Sequence, residues 1–262
     1  MTSQKAMSPE SDSKVVCVTG ASSGIGLAAA EVFAEHGATL IIGARRVDRL
    51  ETISKRLKKL GAKDILVLGL DVRIPSSVEQ FVQSTLKRFN ALDVLVNSAG
   101  LAAGRDPLVS ANIDDWERMI DTNVKGLLRV TKSFLPTMIE QKRGHIINIG
   151  SIAGYEPYEG GSVYSASKFG VRAITKTLRL ELSGTNIRVT IIDPGMVNTE
   201  FSLVRLGDQE KADAVYKGMM PLIGRDVAEC IYFAASRPPH VNVDQIFVMP
   251  TDQASATKVF RR

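Results

Sequence analysis

Val15-Val16-Cys17-Val18-Thr19-Gly20-Ala21-Ser22-Ser23-Gly24-Ile25-Gly26-Leu27-Ala28-Ala29 decides the fold. A short β-branched, apolar run reads as a buried strand, glycines follow at 20, 24 and 26, and an alanine-rich run opens a helix. Gly24, Gly26 and Ala29 satisfy the spacing G-x-G-x-x-(G/A) between a strand and a helix, where a dinucleotide fingerprint belongs. Glycine there permits the tight turn and lets a pyrophosphate approach the backbone, while the helix N-terminus offers free N–H groups and positive partial charge. Taken alone, the same turn could join strand to helix without any ligand.

The rest of the chain repeats the alternation. Short apolar runs at Val15–Thr19, 39–43, 65–70, 94–97, 145–149, 189–192 and 245–248 read as strands. Amphipathic stretches at 25–36, 46–60, 76–89, 113–140 and 163–182 read as helices, with Pro136 expected to bend or end the fourth. Strands that are apolar throughout are those covered on both faces. The expected architecture is α/β: a single-domain, doubly wound (Rossmann) seven-stranded parallel sheet with helices on both faces, binding ligands at the carboxyl edge. No internal repeat or linker divides it. Residues 1–13 are expected to form a loose polar tail and residues 14–262 the domain.

Composition excludes several classes. With 262 residues, 44% hydrophobic and 23% charged, the chain is globular. No apolar stretch approaches the ~18 residues of a membrane span, and the N-terminus lacks the apolar core of a signal peptide. The net charge of +5 is spread along the chain. Its densest basic run, Lys55-Arg56-Leu57-Lys58-Lys59, reads as a solvated helix face, so no nucleic-acid partner is expected. Two cysteines, Cys17 and Cys230, exclude a disulfide framework and suggest a reducing, cytoplasmic setting. His36, His145 and His240 show no metal-ligand spacing, and His145 reads as structural.

Two further motifs carry chemistry. After the second strand, where an NAD-binding fold places a carboxylate, the chain reads Gly43-Ala44-Arg45-Arg46. Paired guanidinium forks suit a 2′-phosphate, so NADP is the expected cofactor. Tyr164-Ser165-Ala166-Ser167-Lys168 sets a phenol and an ammonium one helical turn apart. The ammonium is expected to lower the phenol pKa by about 1–3, toward the range useful for proton transfer.

Together these residues resemble the short-chain dehydrogenase/reductase family in its short single-domain branch. The resemblance runs from the T-G-x-x-x-G-I-G turn (Thr19 to Gly26) through Asn97-Ser98-Ala99-Gly100, Asn123, Ser151, Tyr164 and Lys168 to Pro194-Gly195. It implies a catalytic set of Asn123, Ser151, Tyr164 and Lys168. Tyr164 would be the general acid or base, Lys168 would hold the nicotinamide ribose, and Ser151 would stabilise the substrate oxygen. Asn123 would anchor a proton-relay water. The resemblance further implies cofactor contacts from Gly20, Ser22, Ser23, Gly24, Ile25 and Gly26 at the pyrophosphate. Arg45 and Arg46 would meet the 2′-phosphate, and Asp71 with Val72 the adenine. Asn97, Ala99 and Gly100 would lie along the adenosine ribose, and Pro194, Gly195, Val197 and Thr199 beside the nicotinamide. Read without the resemblance, Asn97 and Asn123 could equally brace backbone, and Asp71 could end a strand.

Residues 196–222 would form a substrate lid. With Pro250-Thr251-Asp252-Gln253-Ala254-Ser255 and Ser151-Ile152-Ala153-Gly154, this segment resembles the subgroup of NADP-dependent serine and 3-hydroxy acid dehydrogenases. The implied reaction interconverts the 3-hydroxyl and 3-oxo groups of small acids such as L-serine or L-allo-threonine. Ser151 and Tyr164 would contact the reacting oxygen. A carboxylate substrate needs a cation, and Arg205 is the first candidate, with Arg105 second. A broad carbonyl reductase would share every motif but the lid, and a non-enzymatic NADP sensor would usually lack the Tyr–Lys pair. The resemblance also implies a homotetramer assembled through the helices near 113–134 and 163–182.

Overall fold

The computed structural model describes residues 13–262. Of the expected tail, residues 1–12 lie outside the described residues, and Ser13 is tied to Thr39 by a hydroxyl–hydroxyl hydrogen bond of 3.4 Å.

In chain order the elements are β1 (Val15–Thr19), α1 (Gly24–Glu35), β2 (Thr39–Ala44), α2 (Val47–Leu60), β3 (Asp64–Gly69), α3 (Pro75–Phe89), β4 (Val94–Asn97), α4 (Ile113–Ile120), α5 (Leu127–Glu140), β5 (Gly144–Ile149) and α6 (Ser162–Glu181). There follow β6 (Ile187–Pro194), β7 (Val197–Asn198), α7 (Phe201–Leu206), α8 (Gln209–Ala214), β8 (Leu222–Ile223), α9 (Gly224–Ser236) and β9 (Gln245–Val248). The main sheet is parallel throughout, in the order β3-β2-β1-β4-β5-β6-β9, so the seven-stranded doubly wound architecture holds.

Each strand feeds both faces. In β1, Val16 and Val18 join the cluster under α1, α2 and α9, while Cys17 joins the one under α3 and α5 with Phe81, Phe134 and Met138. That two-sided burial is why the strands lack polar alternation. The chain reverses its winding between β1 and β4, and there the two turns touch. A Cβ on Gly20 would lie 2.9 Å from Ala99 Cα. The crevice at this switch point is the site that the topology prescribes.

The expected single helix over 113–140 is interrupted. A π-helical turn at Asp121–Gly126 separates α4 from α5 and turns Asn123 into the core. Gly126 lets that turn approach Val72, since a Cβ there would stand 2.6 Å from Val72 Cγ2. Pro136 does not end α5: it lies on the exposed face, as does Lys132, whose carbonyl loses its helical donor. The helix α9, not expected from the sequence, packs its alanines against those of α1. It lacks a polar N-cap residue, and Asp226 instead accepts the Ile223 N–H at 2.8 Å.

Candidate active site

The turn after β1 makes a cradle. Gly20 and Gly24 sit at φ +70° and +56°, a region L-residues seldom adopt. A Cβ on Gly26 would stand 2.6 Å from the Gly20 carbonyl oxygen, so Gly26 closes the turn from behind instead of facing the ligand. Every other residue expected at the site lines one cavity of about 600 Å³. It runs from Arg45, Arg46, Asp71 and Val72 past Ser22–Ile25 to Ser151, Tyr164 and Lys168.

This groove fits a dinucleotide. The turn from Gly20 to Ile25 lines the cavity at the N-terminus of α1, where a pyrophosphate would meet free N–H groups. Asn97 Oδ1 is buried on the groove wall without a partner among the described residues. Arg45 and Arg46 line the end of the groove beside Asp71, and Arg49, in the first turn of α2 and not singled out from the sequence, joins Arg46 on Glu200. Asp71 lines the wall, but its carboxylate is spent on Arg73, accepting from Nε at 3.0 Å and from a terminal nitrogen at 2.6 Å. The Asn97 amide nitrogen is likewise spent, on Thr131 Oγ1 and Asn148 Oδ1 at 2.9 Å each.

The catalytic end is organised around the turn after β5. Ser151 caps a short 3₁₀ turn, its hydroxyl accepting the Ala153 N–H at 3.1 Å, and lines the same cavity as the Tyr164 phenol. Lys168 Nζ donates to the Ile149 carbonyl at 2.9 Å, and the Ser151 N–H donates to Asp193 at 3.0 Å. Asn123 clasps the Leu101 backbone, accepting its N–H at 2.9 Å and donating to its carbonyl at 2.8 Å. Its amide also reaches Ser167 Oγ at 3.0 Å, so the side chain braces the loop after β4 and has no donor directed at a relay water.

The expectation that Lys168 acidifies Tyr164 needs correction. The ammonium lies 5.8 Å from the ring centroid and is turned onto Ile149. Burial dominates the phenol, pushing it well above its ordinary value, with Tyr158 adding to the rise and Ser151 and Arg205 opposing it. Burial also draws Lys168 down to about 8, against the pull of the Asp193 carboxylate.

The lid leaves and rejoins the body at a two-stranded ribbon of β7 and β8, closed by the Leu222 N–H donating to Met196. Buried Gln253 accepts the Met196 N–H at 2.7 Å, and buried Asp252 accepts that of Met220 at 2.8 Å. Asp252 also pairs with Arg262, and the Arg262 N–H donates to the Gly218 carbonyl at 2.7 Å. The 250–255 segment therefore fastens both ends of the lid. From the lid, Arg205 donates Nε to the Gly104 carbonyl at 2.9 Å and lies 5.3 Å from the Tyr158 ring centroid and 5.8 Å from that of Tyr164. One terminal nitrogen of its guanidinium and the Tyr158 hydroxyl are buried without partners among the described residues. Arg105 is exposed at the rim, over Tyr158 at 5.9 Å. His145 is structural, bonded to Thr190 Oγ1 at 2.7 Å. Among the described residues no three His, Cys, Asp or Glu converge as a metal site requires, and no helix is long and apolar enough to cross a membrane.

The glycine turn and the Ser151–Tyr164–Lys168 constellation, joined by one cavity, both fall within the stretch that a family model matches. The family model of the short chain dehydrogenases covers residues 14–209. The chain belongs to that family. As an oxidoreductase of this family it is similar to the NADP-dependent 3-hydroxy acid dehydrogenase YdfG of Salmonella typhi, 45% identical over 244 residues, which are 92% of this chain and 97% of the relative. Sulfoacetaldehyde reductase 2 of Chromohalobacter salexigens is 46% identical over 244 residues, 92% of this chain and 96% of the relative. Among solved structures, the closed form of a serine dehydrogenase complexed with NADP+ superposes with a TM-score of 0.89 at 42% identity. It covers 95% of the present enzyme, and 99% of that chain is matched.

Proposed function

We propose that the enzyme interconverts the 3-hydroxyl and 3-oxo groups of small acids, with L-serine and L-allo-threonine as representative substrates and NADP(H) as cofactor. The observation that carries this reading is Arg205: an anchored guanidinium beside the Tyr164 ring, with one buried nitrogen that has no partner among the described residues. A buried cationic donor without an acceptor is costly, and a substrate carboxylate would satisfy it while placing the adjoining carbons against Tyr164 and Ser151. A sulfonate would meet the same cation.

When bound, the nicotinamide donates or accepts the hydride. The chain's own groups manage the oxygen and its proton. Burial keeps the Tyr164 phenol protonated, the form from which a general acid starts when it meets a nascent alkoxide. Ser151 offers a hydroxyl to the same oxygen. Lys168, turned onto the Ile149 carbonyl, sits close enough to neutrality, at about 8, to pass a proton onward. Arg45, Arg46 and Arg49 would hold the 2′-phosphate, and the turn from Gly20 to Ile25 the pyrophosphate. Exposed Leu128, Phe169 and Leu180 on α5 and α6 support the homotetramer that family resemblance implies.

The deciding experiment follows NADP reduction with L-serine, L-allo-threonine, 3-hydroxypropionate, a hydroxyalkyl sulfonate and matched neutral alcohols. Preference for the members that carry a carboxylate or sulfonate, lost in Arg205→Ala, is expected. Equal turnover of neutral alcohols would favour a broad carbonyl reductase instead.

A further inference from the structure

One contact at the mouth of the groove takes no part in the reaction described above. Arg46, at the N-cap of α2, turns one guanidinium nitrogen back to the glycine turn, 3.2 Å from Ser22 Oγ and 3.1 Å from Ser23 Oγ. The same nitrogen pairs at 3.1 Å with one carboxylate oxygen of Glu200, and Arg49 pairs with the other. Glu200 comes from the opposite wall. It is the N-cap of α7 and follows Thr199, whose Cβ lies 3.4 Å from where a Cβ on Gly24 would stand. A single lid carboxylate thus holds, across the groove, Arg46, one of the two arginines expected at a 2′-phosphate, together with its neighbour Arg49.

We infer that Glu200 competes with the 2′-phosphate of NADP(H) for Arg46 and Arg49, so that one lid residue tempers cofactor affinity and is released as the phosphate arrives. This rests on NADP(H) being the cofactor. Arg46 already divides one nitrogen among three oxygens, and a phosphate carrying up to two negative charges is the stronger acceptor for its fork. The three side chains are a third to a half exposed, so their ion pairs are weak enough to exchange. The neutral ribose hydroxyl of NAD(H) offers no charge to displace a carboxylate. Glu200 therefore acts on NADP(H) alone.

The test is a fluorescence titration of NADPH and NADH on the parent, Glu200→Gln, Arg46→Ala/Arg49→Ala and the triple variant. A parent without preference for NADPH would overturn the cofactor reading itself. Given that preference, Glu200→Gln is expected to bind NADPH about three- to tenfold more tightly and NADH within about twofold of the parent. The gain should vanish in the background lacking Arg46 and Arg49. Unchanged or weaker NADPH binding, equal shifts for the two cofactors, or a gain that survives without the arginines would each overturn the competition. A Glu200→Ala variant, free of any amide hydrogen bond, should reproduce the direction of the effect.

Discussion

Lys168 and Asp193 hold one turn from its two ends: the Lys168 ammonium donates to the Ile149 carbonyl at 2.9 Å, and Asp193 accepts the Ser151 N–H at 3.0 Å. Asp193 is fully buried and forms no ion pair closer than 4 Å among the described residues. Its other oxygen accepts from Gln245 at 3.0 Å. Burial pushes it up to about 6, against the Ser151 N–H, Lys168, Gln245 and Tyr155. A buried carboxylate kept at that cost has the chemistry of a positioning group for the lysine and serine.

Asp193→Asn should retain the acceptor for Ser151 but remove the charge that favours the Lys168 ammonium. The pKa of Lys168 then falls, and the basic limb of the kcat/KM profile should move to lower pH by about one unit. Stability should change in the opposite sense. A carboxylate whose folded pKa is raised adds stability below its unfolded value, and that contribution is lost as pH rises through about 6. At pH 7.5 the variant should therefore melt higher than the parent. A pH profile coincident with that of the parent would remove Asp193 from the proton chemistry.

Tyr164→Phe removes one hydroxyl and keeps the ring, which packs at a tilt against Phe201 with centroids 5.7 Å apart. The expected result is a fall in kcat of about 10²–10⁴ with little change in NADPH binding. Steady-state kinetics and cofactor titration check the two halves separately.

Arg205→Ala should raise KM for 3-hydroxy acids by about ten- to a hundredfold, the worth of one charge-assisted hydrogen bond in a buried place. Neutral alcohols and ketones should lose much less, since the side chain meets them only through packing. Comparing kcat/KM for an acid and for its methyl ester reads this directly.

Asp252→Ala frees the Met220 N–H and unpairs Arg262, loosening the returning arm of the lid. Proteolysis within residues 207–220 should quicken and KM should rise, while the main sheet keeps its thermal transition. A Tm lowered as far as that of a core variant would mean that Asp252 supports the fold as a whole.

His145 reports on the core. Burial draws its pKa well below the ordinary value, aided by Arg188 and Lys14, so it is neutral in the folded state. Its stabilising contribution is present above about pH 6.5 and fades as pH falls, because the unfolded chain binds the proton first. Replacing it with Gln should flatten the acid side of a Tm-against-pH curve between pH 5 and 6.5.

The strands, the glycine turn and the Tyr164–Lys168 spacing are legible in the sequence because each depends on neighbours within a few residues: an apolar run, a positive φ, one helical turn. Cofactor type follows from the same kind of local signal, two arginines where a carboxylate would otherwise stand. The π-helical turn at Asp121–Gly126 left no local mark, since Val72 approaching Gly126 is a long-range event. Tertiary structure alone decided that Asp193 stands behind Ser151 from 42 residues away and that Glu200 reaches Arg46 across 154. It also decided that burial, not the nearby ammonium, rules the phenol. A side chain's type and spacing are written in the chain, but its proton affinity and partners are set by the dielectric and charges that folding brings around it.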